Sequence, residues 1–290
     1  MSAPEVGWWT GEGGVRLRWT RWDAAAPRGA LLVVHGFGDH AGRYADLGRV
    51  LGARGYTVLA YDQRGHGGSE GKRGDAPSFA AFLADLDRAW AEAERVLPRP
   101  LALYAHSFGA LVAMRWLQTR PVRPGAVVLT APWLATALAV PRWKLIAARI
   151  LLRAAPGLAI PSGSDRPDYL TRDPERAAAY RDDPLVHHRI TARFHAGVLA
   201  AQAGAGADPW PTDTPTLVVV PGDDPLVDAG AALAWARARP SLDVRVRAEG
   251  RHELHNDLDR EASLGLVADW LDRRLRVEPE GTGRVLAPGA

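Results

Sequence analysis

The chain of 290 residues reads as an α/β protein: a mostly parallel central sheet with helices on both faces and a helical insertion. Three observations predict this class. Short apolar runs recur with helical patterns between them, as strand–helix–strand units require. The runs are apolar throughout rather than alternating, as strands covered on both faces are. The rhythm then stops for about 75 residues and resumes (positions 133 to 208), and a break that long inside a compact fold marks a functional excursion.

The elements follow in order. Val15 to Trp19 alternates and predicts a half-buried strand. Ala30 to His35 is continuously apolar and ends in a glycine-rich loop. Leu47, Val50 and Leu51 mark a helix, and Thr57 to Tyr61 the next buried strand. Phe79 to Val96 carries apolar residues at helical spacing, including Phe82, Leu83, Leu86 and Trp90. A strand from Leu101 runs up to Ser107, a helix follows through Leu111 to Leu117, and Ala126 to Thr130 forms the next strand. Between Trp133 and Asp208 there are helical stretches, such as Trp143 to Ala154, and no convincing buried strand. The alternation returns with a strand at Thr216 to Val220 and a helix near Ala229 to Arg239. A strand at Val244 to Val246 and a last helix from about Asp257 to Leu275 complete it. The expected organisation is a core of residues 1–132 and 209–276, a helical cap of residues 133–208, and a loose Gly- and Pro-rich tail at 277–290.

Composition narrows the function classes. Lys and Arg number 36 against 33 Asp and Glu, and they are spread along the chain, so no nucleic-acid footprint is expected. There is no cysteine, which removes disulfides, thiolate metal sites and a cysteine nucleophile. That fits a cytoplasmic location. The N-terminus lacks a signal-peptide layout, and the apolar stretch from Ala126 to Pro141 is too short to span a bilayer. No His, Asp and Glu residues fall at metal-ligand spacing, so neither a metal nor another cofactor is expected.

The chemistry gathers at the abrupt strand-to-helix switch around Ser107. Ala105 and Gly109 flank it two positions away, as a nucleophile elbow needs, because the tight turn brings neighbouring backbone close. A serine hydroxyl needs a base, and the base an orienting acid. Asp223, Asp224 and Asp228 lie just past the strand Leu217 to Val220, where functional side chains gather in parallel sheets. Asp224 is favoured as the acid, with Asp223 as rival and Asp228 as the cap of the following helix. His252 is the candidate base, since it follows the strand at Val244 to Val246 with Gly250 two before it; His255 is its rival. Two backbone N–H groups are needed for an oxyanion, and Phe108 and Phe37, in the loop His35-Gly36-Phe37-Gly38, are placed to donate them. His66 reads as a buttress because it precedes the serine, and His187 and His188 as packing or solvent-facing groups.

Taken together these segments resemble the monoacylglycerol lipase and lysophospholipase group of the α/β-hydrolase superfamily, over roughly Leu31 to Leu275. The resemblance rests on His35 to Tyr44, Tyr61 to Gly71, Asp224 to Asp228 and His252 to Asp257. It departs from the group's pattern at Ala105, where glycine is usual, and at Pro221, which keeps Asp223 in play as the acid. The resemblance implies a Ser107–Asp224–His252 triad and oxyanion donors at Phe37 and Phe108. It also implies a cap over an acyl tunnel, in which Pro141 to Leu152 is a helix that either touches lipid interfaces or packs on the core. The expected substrate is a small-molecule ester or lipid monoester cleaved through an acyl-enzyme. A short-chain carboxylesterase of broad specificity is the first alternative. An aminopeptidase using Glu175, Asp182 or Asp183 for a free ammonium group comes next. The last is a protein that keeps the fold without turnover.

Overall fold

A computed structural model describes residues 3–163, 166–211 and 213–275; the tail expected at 277–290 lies outside the described residues. Eight strands form the main sheet. In chain order they are β1 (Glu5–Thr10), β2 (Arg16–Trp22), β3 (Gly29–Val34), β4 (Tyr56–Tyr61), β5 (Leu101–His106), β6 (Val127–Thr130), then β9 (Thr216–Pro221) and β10 (Leu242–Arg247). Their spatial order is β1-β2-β4-β3-β5-β6-β9-β10. Only β1 and β2 run antiparallel to their neighbours; every pairing from β4 to β10 is parallel.

The apolar runs bury both sheet faces because successive side chains point to opposite sides. In β3, Leu32 and Val34 join one core, with α2 (Phe79–Val96), α3 (Phe108–Thr119), α7 (Ala192–Ala207) and α8 (Ala229–Arg237). Leu31 and Val33 join the other, with α1 (Ala45–Ala53) and α9 (Arg260–Arg274). β5 divides the same way: Leu103 and Ala105 face α3, while Ala102 and Tyr104 face α9.

β1 was not among the expected elements. Its sequence, EVGWWT, lacks a clean alternation, and Val6 and Trp8 are exposed. Tertiary packing holds it instead. Trp9 lies against Trp19 and Tyr61, and Gly7 leaves the space that the Trp19 ring fills.

Residues 133–208 leave the sheet between β6 and β9. They hold α4 (Arg142–Ala154), α5 (Pro167–Leu170), α6 (Pro174–Asp182) and α7, with a small antiparallel pair of β7 (Ala159–Pro161) and β8 (Arg189–Thr191). Three-residue strands this exposed carry no readable sequence pattern. The part from α5 onward is fastened to the core by ion pairs: Arg172 with Asp257, Asp173 with Arg260, Arg176 with Asp46, and Arg193 with Asp75. α4 differs, since it buries none of its residues.

Gly109 is the tightest point under the elbow, where a methyl group would collide with the carbonyl oxygens of Val34 and His35. Backbone carbonyls cannot swing away as a side chain does. Gly109→Ala is therefore expected to lower stability by about 1–3 kcal/mol in a denaturant titration. Ala105, wholly buried with its methyl already packed, should tolerate Ala105→Gly with activity largely intact. An unchanged midpoint for Gly109→Ala, or a large activity gain for Ala105→Gly, would contradict this reading of the turn.

Candidate active site

Ser107 joins β5 to α3 with φ 52° and ψ −114°. A non-glycine residue in that region is strained and persists only where its surroundings fix it. Here they do: the Ser107 N–H donates to the Thr130 carbonyl at 2.9 Å, and the Ser107 carbonyl accepts from Leu111 and Trp133 N–H groups at 3.1 and 3.3 Å. The turn lifts the hydroxyl to the carboxyl end of the sheet.

Two loops from the same end meet it. The Ser107 hydroxyl donates to His252 Nε2 at 2.9 Å, and His252 Nδ1–H donates to Asp224 Oδ2 at 2.7 Å. Asp224 is fixed from behind, since its Oδ1 accepts from the Leu226 and Val227 N–H groups at 2.9 and 3.0 Å. A carboxylate only accepts, so it forces the proton onto Nδ1 and leaves Nε2 free to receive one. Burial of His252 works against its charged form, but the Asp224 carboxylate outweighs that and holds the imidazole above its ordinary 6.5.

The rivals go elsewhere. Asp223 is half exposed and pairs with Arg251 at 3.3 Å. Asp228 caps α8, accepting from the Ala231 N–H at 3.0 Å. His255 is buried and stacked on Tyr44 at 4.4 Å, and burial lowers its pKa to about 4. His66 is fully buried and stacks on Phe108, with His35, Phe37 and His187 also around it. His187 packs edge-on against Phe37 at 5.3 Å, and its N–H donates to the Gly38 carbonyl.

Phe108 is the first residue of α3, where a backbone N–H has no partner within its helix. Phe37 lines the cavity with Ser107. The preceding Gly36 runs so close that an added methyl would meet the His106 ring at 3.2 Å and Ser107 Cβ at 3.5 Å. Gly38, with φ 74°, turns the loop sharply just after Phe37. Its shape is locked by His35, which accepts from the Gln63 N–H at 2.9 Å and donates to the Gly36 carbonyl at 2.7 Å.

The cavity measures about 170 Å³. Trp133, Leu138, Val140, Ile190, Leu226 and Val227 make it mostly apolar, while Asp39, Glu253 and Tyr180 add polar groups. Neither of those carboxylates, nor Arg43 behind them, was singled out from the sequence. Arg43 grips Glu253 at 2.7 and 2.5 Å and Asp39 at 2.9 Å, and stacks over Tyr180 at 4.7 Å. The signal was present in part, because Glu253 directly follows His252; but its partner lies 210 positions away. His106, the residue before Ser107, was equally unremarked, and its ring packs on His252 at 4.8 Å. Among the described residues no group of His, Asp or Glu is arranged to hold a metal ion.

A family profile described as serine aminopeptidase, S33 matches residues 25–259. The chain belongs to this family. A monoacylglycerol lipase of Mycolicibacterium smegmatis is 33% identical over 270 residues, 90% of this chain and 94% of that protein. The phospholipase YtpA of Bacillus subtilis is 31% identical, over 84% of this chain and 94% of that one. Among solved structures, the monoacylglycerol lipase of Paleococcus ferrophilus superimposes with a TM-score of 0.79 at 29% identity, covering 89% of this chain and 99% of that one. The chain is accordingly a serine ester hydrolase with the α/β-hydrolase fold.

The geometry makes a signed pH prediction. Proton transfer to His252 needs the neutral ring, and the ring's pKa is raised, so it stays protonated to a higher pH than a free imidazole. Plotted against pH, kcat/KM should climb through a midpoint above 6.5. Asp224→Asn, which removes the charge that raises it, should move that midpoint down as well as slow the reaction. A wild-type midpoint below 6.5 would contradict the assignment.

Proposed function

We propose that this family member hydrolyses monoesters of one long acyl chain and a small alcohol, of the monoacylglycerol or lysophospholipid kind. Ser107 acts as nucleophile, His252 as general base and acid, and Asp224 as the orienting acid. The observation that carries the proposal is the unbroken pair of hydrogen bonds from Ser107 Oγ through His252 to Asp224.

The steps follow from that relay. His252 Nε2 takes the Ser107 proton as Oγ attacks the ester carbonyl carbon. The carbonyl oxygen becomes negative, and the Phe37 and Phe108 N–H groups receive it. When the tetrahedral intermediate collapses, the bond to the alcohol oxygen breaks and His252 returns the proton to that oxygen. A water activated by the same imidazole then attacks the acyl-enzyme and frees Ser107. The apolar cavity wall supports an acyl chain as the other half of the substrate.

Residues 133–208 act in this proposal as a cap over the site. The part from α5 onward is held by ion pairs, and α4 is the part turned outward. On α4, Trp143, Ile146 and Ile150 are each 58–67% exposed. Arg142, Lys144, Arg149 and Arg153 share the helix with no acidic residue. That combination suits an anionic lipid surface. Among the described residues no helix is long and apolar enough to cross a membrane.

The aminopeptidase reading is weaker. Glu175, Asp182 and Asp183 do not line the cavity, and Asp183 is bonded to His40 at 2.8 Å. Comparing an amino-acid anilide with an ester of the same leaving group separates the two activities, and the ester should be strongly preferred.

Two further outcomes are expected. Ser107→Ala should cut hydrolysis of a p-nitrophenyl acyl ester by at least ~10³-fold, and retained activity would refute the nucleophile. In vesicle co-sedimentation, the protein should bind phosphatidylglycerol at least ~10-fold more tightly than phosphatidylcholine. Trp143→Ser with Ile150→Ser should abolish that binding and spare hydrolysis of a soluble short-chain ester. Equal binding of both lipids would remove the charge argument.

A further inference from the structure

The loop that carries the Phe37 N–H is held from two sides, and the two sides belong to different parts of the chain. A peptide unit is planar, so the Gly36 carbonyl and the Phe37 N–H within it point opposite ways. His35 Nδ1–H donates to that carbonyl at 2.7 Å, and this aims the N–H from the core side. The other end of the same plane is the Phe37 Cα, which moves with its own ring and with the Gly38 peptide. Residues 133–208 hold both of those.

Of the rings packed on Phe37, His66 comes from the core, edge-on at 5.7 Å between centroids. Three others come from residues 133–208: His187 edge-on at 5.3 Å, Phe194 at 5.2 Å and Trp133 at 6.4 Å. The backbone is tied on the same side, since the Gly38 carbonyl accepts from the His187 N–H at 3.1 Å. The His187 carbonyl in turn lies so near Gly38 that an added methyl would be 2.4 Å from it. Glycine at φ 74° leaves that room. His40 makes a second tie. Its Nδ1 accepts from the Gly42 N–H at 3.1 Å, which leaves the proton on Nε2 to donate to Asp183 Oδ2 at 2.8 Å. Residues 183–187 are thus bonded to residues 38–40 at both ends.

His187 makes both kinds of contact, with its backbone on Gly38 and its ring on Phe37. It is buried and is not among the described residues that line the cavity. Whatever it does to the reaction therefore passes through Phe37. Glycines on both sides of Phe37 give the loop little stiffness of its own, so packing decides where it sits. A donor must lie about 2.7–3.1 Å from the point where the negative oxygen forms. A small displacement of Phe37 would cost rate without costing substrate binding.

We infer that His187 is a positioning residue for the oxyanion: it carries the placement of residues 133–208 to the Phe37 N–H, so the site is complete only with that segment packed on the core. The inference rests on the function proposed above, in which Phe37 donates to the oxyanion. It gives residues 133–208 a part in the chemical step as well as in covering the site.

The test combines steady-state hydrolysis of p-nitrophenyl butyrate with inhibition by an alkyl trifluoromethyl ketone and the matching methyl ketone. On the trifluoromethyl ketone, Ser107 Oγ bonds to the carbonyl carbon, its proton passes to His252, and the carbonyl oxygen becomes negative where the oxyanion forms. His187→Ala should lower kcat and kcat/KM together by at least ~10-fold, with KM within about 2-fold of wild type. It should weaken the trifluoromethyl ketone by a similar factor and leave the methyl ketone nearly unchanged. His187→Phe, which keeps a flat ring against Phe37, should recover most of both losses. His187→Leu, which keeps volume without the ring, replaces the alanine variant if that one does not fold, and the same losses are expected. Unchanged kcat and ketone affinity in a folded His187→Ala or His187→Leu would overturn the inference and leave the proposed function standing. So would a raised KM at constant kcat, or a folded His187→Phe as slow as His187→Ala. Equal binding of the two ketones by the wild type would instead remove the oxyanion reading, and the inference with it.

Discussion

The strained backbone at Ser107 is the constraint on which the rest depends. Holding a serine at φ 52° costs about 1–3 kcal/mol. The surroundings impose it through hydrogen bonds from β6 and α3 and through the glycine at position 109. In return the hydroxyl stands clear of the sheet at a fixed point. Every other part of the site is placed relative to that point. The Gly36 loop lies against its β-carbon, and His252 and Asp224 arrive from the ends of the neighbouring β10 and β9. A parallel sheet makes this possible because its strand ends and their loops collect at one edge.

Around that fixed point the protein buries an unusual amount of imidazole and charge, and it does so by separating roles. The histidines near the hydroxyl are kept neutral by burial, whether as a loop lock (His35), a buttress (His66) or a packing face (His106). His252, by contrast, is held above its ordinary pKa by the Asp224 carboxylate. The Arg43 network does a different job. It ties the loop of Asp39, the turn after His252 and Tyr180 of the excursion into one cluster, so the core and residues 133–208 are joined beside the cavity. A buried pair broken on one side is strongly destabilising, and loss of Arg43 would leave two buried carboxylates uncompensated.

Much of this was legible in the sequence, for identifiable reasons. Strands such as Ala30 to His35 and Thr216 to Val220 announce themselves because burial on both faces leaves no polar position. Ser107, Asp224 and His252 stood out because each closely follows such a strand, and the structure brings all three within hydrogen-bond reach. The choice among Asp223, Asp224 and Asp228 was harder, because three aspartates in one loop differ only in direction, which sequence does not carry. β1 was missed because its order comes from Trp19 and Tyr61, not from its own pattern. The Arg43 network was missed because its members are far apart in sequence, and charged residues there read as surface. The two faces of residues 133–208 were equally hidden: helical periodicity finds α4, but only the structure shows that Trp143, Ile146 and Ile150 are left exposed.

Everything proposed for the site depends on Ser107 alone being activated by His252. The most direct measurement is labelling of the intact protein with a fluorophosphonate, followed by peptide mass mapping. One equivalent of label on Ser107, lost on His252→Ala in a protein that remains folded, is the result predicted. Labelling at another residue, or undiminished labelling of Ser107 without His252, would contradict it.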